Sequence, residues 1–425
     1  MKKALSVVLA ASMVMSLTAC GGSKPAETTA AAKSEAAAED TTAAADSEAA
    51  DTEAAEATGE GVAVEDLKAG FIFIGDENEG YTAAHYAGAK AMQEALGLSD
   101  DQMIIKWTTP EDETAYDAAV DLAEQGCQII YANSFGHEDY IKQAAEEFPE
   151  VEFCHATGYQ AASSGLDNMH NFFTSVYESR YVSGVVAGMK LNEMMAADSS
   201  VVPKIGYVGA FPFAEVISGY TSFFLGVRSV CPEAEMEVTF TNSWASFDLE
   251  KEAAEALIAD GCVLISQHAD TTGAPTACEA AGVPCVGYNI SMIATAPTQA
   301  LTSASIDWGP YYTFAAQSVL DGTAIPADWC QGYSEGADKI TELNEGVVAE
   351  GTAEKVKEVE EAIKAGELHV FDTSTWTVNG KKAEDDAELM AKYEAYIYDG
   401  YFHESELASA PSFDIRIDGI VDKSN

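Results

Sequence analysis

Short apolar runs recur along the chain, each followed by a polar loop and a segment whose apolar positions return every three or four residues. The first such unit spans Leu67 to Ala91. Gly70-Phe71-Ile72-Phe73-Ile74 is apolar and aromatic-rich, the pattern of a strand covered on both faces in a parallel sheet. Gly75 ends it. Gly80-Tyr81-Thr82 opens a helix, with Thr82 as the expected N-cap. The same rhythm predicts strands at Met103–Trp107, Gln128–Ala132, Val151–Cys154 and Met169–Phe173. Helices are expected at Asp112–Gln125, at Glu138–Glu147 before Pro149, and at Tyr177–Met195. The last carries Ser183, Gly184, Ala187 and Gly188, small residues that imply a close-packed neighbour.

A second series follows. Strands are expected at Lys204–Ala210, Met236–Thr241, Cys262–Ser266, Val283–Gly287 and Leu301–Ile306. Helices fall at Glu215–Ser229, Asp248–Ala259, Gly273–Ala281 and Pro310–Leu320. Strands alternating with helices imply parallel sheets with right-handed crossovers. Two successive series imply an α/β protein of two Rossmann-like lobes with a ligand cleft between them. The first lobe is expected over 63–190, completed by 302–325; the second over 191–301, with part of 326–425. The charged helix Lys355–Lys364 and the aromatic cluster Tyr393–Tyr401 read only as completion of a lobe.

In open α/β sheets ligands bind beyond the carboxyl ends of the strands, near helix N-termini. That rule singles out Asp76, Asn78, Glu79, Tyr81 and His85 after the first strand, and Phe135, Trp244, Asp270 and Asn289 after later ones. Aromatic rings facing a cleft offer flat plates to a planar ligand. Amides and carboxylates fix its orientation. Each residue also has a purely structural reading: Tyr81 and Phe135 suit a lobe core, His85 a bond to a neighbour, and Asp270 a cap for the helix at Gly273. Lys90, Lys142 and Lys251 fall inside helices rather than at strand ends, which disfavours a phosphate ligand or a nucleotide cofactor.

A formal net charge of −48 over 425 residues argues against binding nucleic acid or anionic lipid. The N-terminus reads as an address. Lys2-Lys3 precedes an apolar stretch, Ala4–Leu17, too short to span a bilayer. Leu17-Thr18-Ala19-Cys20 has the form of a lipobox, so residues 1–19 are expected to be a signal peptide and Cys20 the site of lipid attachment. Residues 20–62 are rich in Ala, Glu, Thr, Ser and Asp and bury too little to order, so they are expected to be an acidic linker. Of the 8 cysteines, those beyond Cys20 show neither CxxC nor metal-type spacing. They read as buried free thiols, with a Cys278–Cys285 disulfide as an alternative. No nucleophile elbow, Walker loop or HExxH occurs, and Glu77 stands where the middle glycine of GxGxxG would be.

Taken together, the lipobox, Phe71-Ile72-Phe73-Ile74-Gly75, Gly80-Tyr81 with His85 and Gly88, and Asn133-Ser134-Phe135-Gly136 resemble the basic membrane protein family. So do Tyr177-Glu178-Ser179-Arg180-Tyr181, Lys204-Ile205-Gly206-Tyr207-Val208, Asn242-Ser243-Trp244, Gln267-His268 with Asp270, Gly287-Tyr288-Asn289 and Trp308-Gly309-Pro310-Tyr311-Tyr312. The family comprises lipoprotein substrate-binding components of ABC importers for purine bases or nucleosides. The resemblance implies a type I periplasmic-binding-protein fold and a purine stacked between Tyr81 and Trp244, with Phe135 shaping the pocket. Asp76, Glu79, His85, Asp270 and Asn289 are the implied polar contacts. Asn289 replaces an aspartate that contacts the sugar in nucleoside binders, and Ile306 stands in place of a ribose-binding lysine. Ala245-Ser246 looks inserted, and Tyr81 stands where Trp or Phe is commoner. A free base therefore fits better than a nucleoside. The implied partners are a membrane permease and, through Cys20, the outer face of the bacterial cell membrane; no cofactor, metal or nucleic acid is expected. The alternatives are a binder of a sugar or other small polar solute, and an exported nucleoside-acting enzyme using Asp76 or His85 as acid or base.

Overall fold

A computed structural model describes Gly59 and residues 61–424. The signal segment, Cys20 and nearly all of the expected linker lie outside the described residues. The first series runs β1 (Ala69–Ile72), α1 (Gly80–Leu96), β2 (Met103–Lys106), α2 (Glu113–Glu124), β3 (Ile129–Ala132), α3 (Glu138–Glu147), β4 (Glu152–Ala156), the single turn α4 (Ala161–Ser164) and β5 (Met169–Thr174). The second runs α5 (Val176–Ala197), β6 (Lys204–Gly209), α6 (Ala214–Val230), β7 (Glu235–Phe240), α7 (Phe247–Ala259), β8 (Leu264–His268), α8 (Gly273–Ala281), β9 (Cys285–Tyr288) and β10 (Ala300–Ile306). After these come α9 (Gly309–Asp321), β11 (Asp328–Gln331), β12 (Asp338–Ile340), α10 (Thr352–Lys364), α11 (Ala387–Lys392), the hairpin β13 (Ile397–Tyr398) and β14 (Tyr401–Phe402), and β15 (Ile420–Asp422). No described helix is long and apolar enough to cross a membrane.

Each series builds its own sheet. The first is six-stranded, ordered β11-β5-β4-β3-β1-β2; the second is seven-stranded, ordered β12-β10-β9-β8-β6-β7-β15. Within both, the five strands of the series follow one plan: the first strand lies between the second and third, and the order then continues outward. Every pairing in these two sheets is parallel except β10 with β12. Alternate residues feed opposite faces, as strand geometry requires. Ile129 and Tyr131 join one core cluster, with Phe71 and Phe173; Ile130 and Ala132 join another, with Phe153 and Ile141. Helices cover both faces, which is why the strands read as continuous apolar runs.

The chain crosses between lobes at β5–α5, β10–α9 and β11–β12. These crossings move the expected boundaries. Helix α5 packs on α6, α10 and β10, so the first lobe's first segment ends at β5 rather than at 190. Strand β10 belongs to the second sheet, whereas α9 packs on α1 and β11 pairs with β5 in the first. The expected completion by 302–325 is thus divided between lobes. Residues following β12 complete the second lobe: Val356, Val359, Ile363, Phe371, Trp376 and Phe413 are buried in its core. The linker's expected end is also docked, since the Gly59 and Val62 amides donate to the Gly322 and Val319 carbonyls at the end of α9, both at 3.3 Å. The seven described cysteines are free thiols, Cys278 and Cys285 among them.

The small residues of α5 face α6. A Cβ on Gly184 would sit 2.0 Å from the Phe223 carbonyl oxygen, and one on Gly226 2.0 Å from that of Tyr181. The two backbones therefore approach too closely for any side chain. Gly184→Val and Gly226→Val are each expected to lower stability by about 1–3 kcal/mol or more, read as a shift in the urea midpoint.

Candidate functional site

In each sheet the strand order reverses beside the first strand, and ligands of α/β proteins bind at such a switch point. The two switch points, β1/β3 and β6/β8, share one cavity of about 220 Å³. The first lobe contributes Ile74, Gly75, Glu79 and Tyr81 after β1, Glu111 after β2, Asn133, Ser134 and Phe135 after β3, and Thr157 after β4. The second contributes Glu215 from the first turn of α6, Trp244 and Ala245 after β7, Asp270 after β8, and Tyr288 from the end of β9.

Local hydrogen bonds hold these groups. Glu79, not Thr82, caps α1: its carboxylate accepts from the Tyr81 and Thr82 amides at 2.6 and 2.8 Å. Glu79 is the residue with extended backbone just ahead of the helix, whereas Thr82 is already helical; its hydroxyl accepts from the Gly75 amide and pins the strand end. The Tyr81 hydroxyl donates to the Asn133 carbonyl at 2.5 Å, linking the loops after β1 and β3. Glu111 accepts from the Ser134 hydroxyl at 2.6 Å and the Gly136 amide at 2.8 Å, which fixes the backbone on either side of Phe135. On the opposite wall the Asp270 amide donates to the Trp244 carbonyl at 2.8 Å, and Asn289 Nδ2 donates to Asp270 Oδ1 at 2.8 Å.

The electrostatics are those of carboxyls withdrawn from water. Burial pushes Glu215 up to about 7, against the pull of the Arg180 guanidinium. Burial, and then the neighbouring Glu79 and Glu250, raise Asp270 well above the usual carboxylate range. Arg180 is fully buried on α5, its guanidinium carbon 3.7 Å from the centre of the Tyr288 ring. One of its nitrogens donates to the Gln267 carbonyl at 2.7 Å. Among the described residues no lysine or arginine lines the cavity.

Of the residues expected at the site, Tyr81, Trp244, Phe135, Glu79 and Asp270 line the cavity together. Asp76, Asn78, His85 and Asn289 do not. Asp76 is exposed and accepts from the Asn78 amide, closing its own turn. His85 is fully buried behind Tyr81, stacked 3.9 Å from Trp308 with its Nδ1 2.5 Å from the Tyr312 hydroxyl; burial keeps it neutral. Asn289 serves Asp270 from behind. His155, His268 and Tyr288 lie within strands that extend further than expected, so the two histidines are core residues. Among the described residues no group of three or more metal-ligating side chains is placed to hold an ion. Glu215 was legible, because it opens the helix after β6 by the rule that found Tyr81. Glu111, in the loop beyond β2, was open to the same rule; Arg180 carries no such signal, because it lies inside a helix.

The lobes touch at the start of α1. A Cβ on Gly80 would lie 2.9 Å from the Asp270 carbonyl oxygen. Gly80→Ala is expected to weaken ligand binding by about 1–3 kcal/mol without lowering the stability of the unliganded protein, checked by calorimetric titration and thermal unfolding. A second expectation concerns pH. Burial pushes Glu178, Glu215, Glu250 and Glu404 to about 7. The unfolded chain loses these protons near pH ~4.3, so the folded state binds more protons and stability falls as pH rises toward and through 7. Urea midpoints are expected to drop between about pH 5 and pH 7 and to level off above about pH 8, with a smaller drop in Glu215→Gln.

Comparison with known proteins places this geometry in a family. The model of the Bmp family, described as ABC transporter substrate-binding protein PnrA-like, matches residues 69–372. A Brucella abortus protein named as purine-binding is 36% identical over 335 residues, covering 77% of this chain and 91% of the relative. A Haloferax volcanii protein, named as a candidate glucose-binding protein of an ABC transporter, is 28% identical over 334 residues, covering 78% and 80%. Among solved structures, a solute-binding protein of an ABC transporter from Conexibacter woesei superposes with a TM-score of 0.59 at 23% identity, over 71% of this chain and 98% of its own. Another from Aeropyrum pernix gives 0.60 at 16%, over 76% and 98%. These share the two-lobed type I periplasmic-binding-protein fold. Site geometry, family match and relatives agree: the chain belongs to the Bmp family of PnrA-like ABC transporter substrate-binding proteins.

Proposed function

We propose that this chain is the lipid-anchored, extracytoplasmic receptor of an ABC importer and that its interlobe cavity takes a purine as the free base. The observation that carries the reading is one cavity in which aromatic rings from both lobes, Tyr81 and Phe135 against Trp244, meet carboxyls and no lining lysine or arginine. Flat plates suit a planar heterocycle. Asp270, held at the cavity wall by Asn289, presents a carboxyl to the polar edge of a purine, where a ring nitrogen sits beside an exocyclic group. The cavity, about 220 Å³, lies below the ~300–1,000 Å³ typical of drug-sized ligands, which favours a base over a nucleoside. The purine-binding name of the 36% identical relative supports the same reading. Anchoring is inferred from Leu17-Thr18-Ala19-Cys20, with the acidic segment before Gly59 as the tether to the membrane that holds the permease.

Binding both lobes at once is how a ligand favours the closed form. No chemistry is required. The two residues considered as acid or base, Asp76 and His85, are respectively a turn residue and a buried ring packed on Trp308. A sugar is the second reading, favoured by the name of the Haloferax relative.

Thermal unfolding against purine bases, nucleosides, pyrimidines and hexoses tests the assignment, because a ligand that binds only the native state raises the midpoint. A rise with purine bases supports it; a rise with hexoses alone, or none, removes it. Trp244→Ala is expected to weaken base binding by about 1–3 kcal/mol, the range of base–aromatic stacking, measured by calorimetric titration.

A further inference from the structure

We infer that Phe213, with Phe135 and Tyr159, forms an aromatic rim that sets ligand length, admitting a bare heterocycle and turning away the same ring carrying a sugar. The inference rests on the purine reading above and deepens it. The three rings are 48%, 47% and 61% exposed, and none belongs to a core cluster of either lobe. Packing does not account for them. They come from both lobes: Phe135 follows β3 and Tyr159 follows β4, whereas Phe213 immediately precedes α6. The Phe135 ring centre is 6.2 Å from that of Tyr159 and 6.5 Å from that of Phe213; Phe213 is in turn 6.3 Å from Trp244. Phe135 and Trp244 line opposite walls of the cavity; Phe213 does not itself line it but stands within 6.5 Å of both rings, outside the cavity wall and next to each side of it.

The rim is held in place. Glu111 fixes the backbone flanking Phe135. The Tyr159 amide donates at 2.7 Å to Glu138, a carboxylate only 3% exposed. Phe211 stacks on Phe213 at 5.1 Å, with the two rings within 10° of parallel. A sugar leaving the base toward the rim would meet the faces of Phe135 and Phe213, which offer its hydroxyls no hydrogen bonds. The positions that distinguish this chain from nucleoside binders do not supply the selectivity themselves. Asn289 is bonded to Asp270, and Ile306 is 3% exposed within a core cluster, so neither side chain lines the cavity. The rim is the part of the site placed to discriminate.

The test is calorimetric titration of the full chain with guanine and guanosine, adenine and adenosine, and hypoxanthine and inosine. The wild type is expected to bind the preferred base at least tenfold more tightly than its nucleoside. In Phe213→Ala the nucleoside-to-base affinity ratio is expected to rise at least fivefold, and in Phe213→Trp to stay at or below the wild-type value. Thermal unfolding of each unliganded variant confirms that the fold persists. Equal binding of base and nucleoside by the wild type, or an unchanged ratio in Phe213→Ala, overturns the rim. If the wild type binds no purine, the purine reading fails and the rim falls with it; base binding with an unaltered ratio removes the rim alone.

Discussion

Three extended segments run side by side where the lobes meet, and the hydrogen bonds among them set where every wall of the cavity stands. The Ser175 amide donates to the Gln331 carbonyl at 3.0 Å, and the Asp307 amide to that of Ala337 at 2.7 Å. The Thr174 hydroxyl donates to Asp338 at 2.6 Å. Burial raises Asp338 well above the usual carboxylate range, because the charged form is costly away from water. These bonds lace all three crossings together into one narrow band between the lobes. The switch points then face each other rather than drifting apart. Glu178, beside this band on α5, accepts from the Tyr333 amide at 2.8 Å and ties the third crossing to the second lobe.

The cavity is acidic within an acidic protein, yet its carboxyls do different work. Glu79 and Glu111 are occupied by backbone amides and a hydroxyl, and their effect is to hold Tyr81 and Phe135 in place. Asp270 and Glu215 line the cavity with carboxyls that burial makes harder to ionise. Arg180 lies behind Tyr288, close enough to draw Glu215 downward but screened from the ligand by the ring. A cavity lined by carboxyls, with no lining lysine or arginine among the described residues, disfavours an anionic solute.

The residues that follow β12 add substance to the second lobe. Phe371 stacks on Phe413 at 4.3 Å, Trp376 meets Phe413 edge-on at 6.0 Å, and Phe402 packs against both Tyr393 and Tyr396. Strand β15 then extends the second sheet beside β7. This segment follows β12 and covers the outer surface of α5 and α6, so the helix pair joined through Gly184 and Gly226 is buried on both sides.

Much of this was local information. The apolar runs at Gly70–Ile74 and Lys204–Ala210 contain the strands Ala69–Ile72 and Lys204–Gly209 in large part, because a segment covered on both faces must be apolar throughout, and two series of them imply two lobes. Tyr81, Phe135, Trp244 and Asp270 were legible because each stands just beyond a strand's carboxyl end, where open α/β sheets place ligands. The stripe of Ser183, Gly184, Ala187 and Gly188 announced a close neighbour without naming it. What the sequence left open depends on distance between parts remote along the chain. Only the folded chain assigns β10 and α9 to different lobes, since that follows from which edge each segment reaches. Only tertiary packing turns Asn289 toward Asp270, buries His85 against Trp308, leaves Asp76 in its own turn and brings Glu111 to Ser134. Periodicity reports which face of an element is covered; it carries no record of what covers it, and a binding site is made of such pairings.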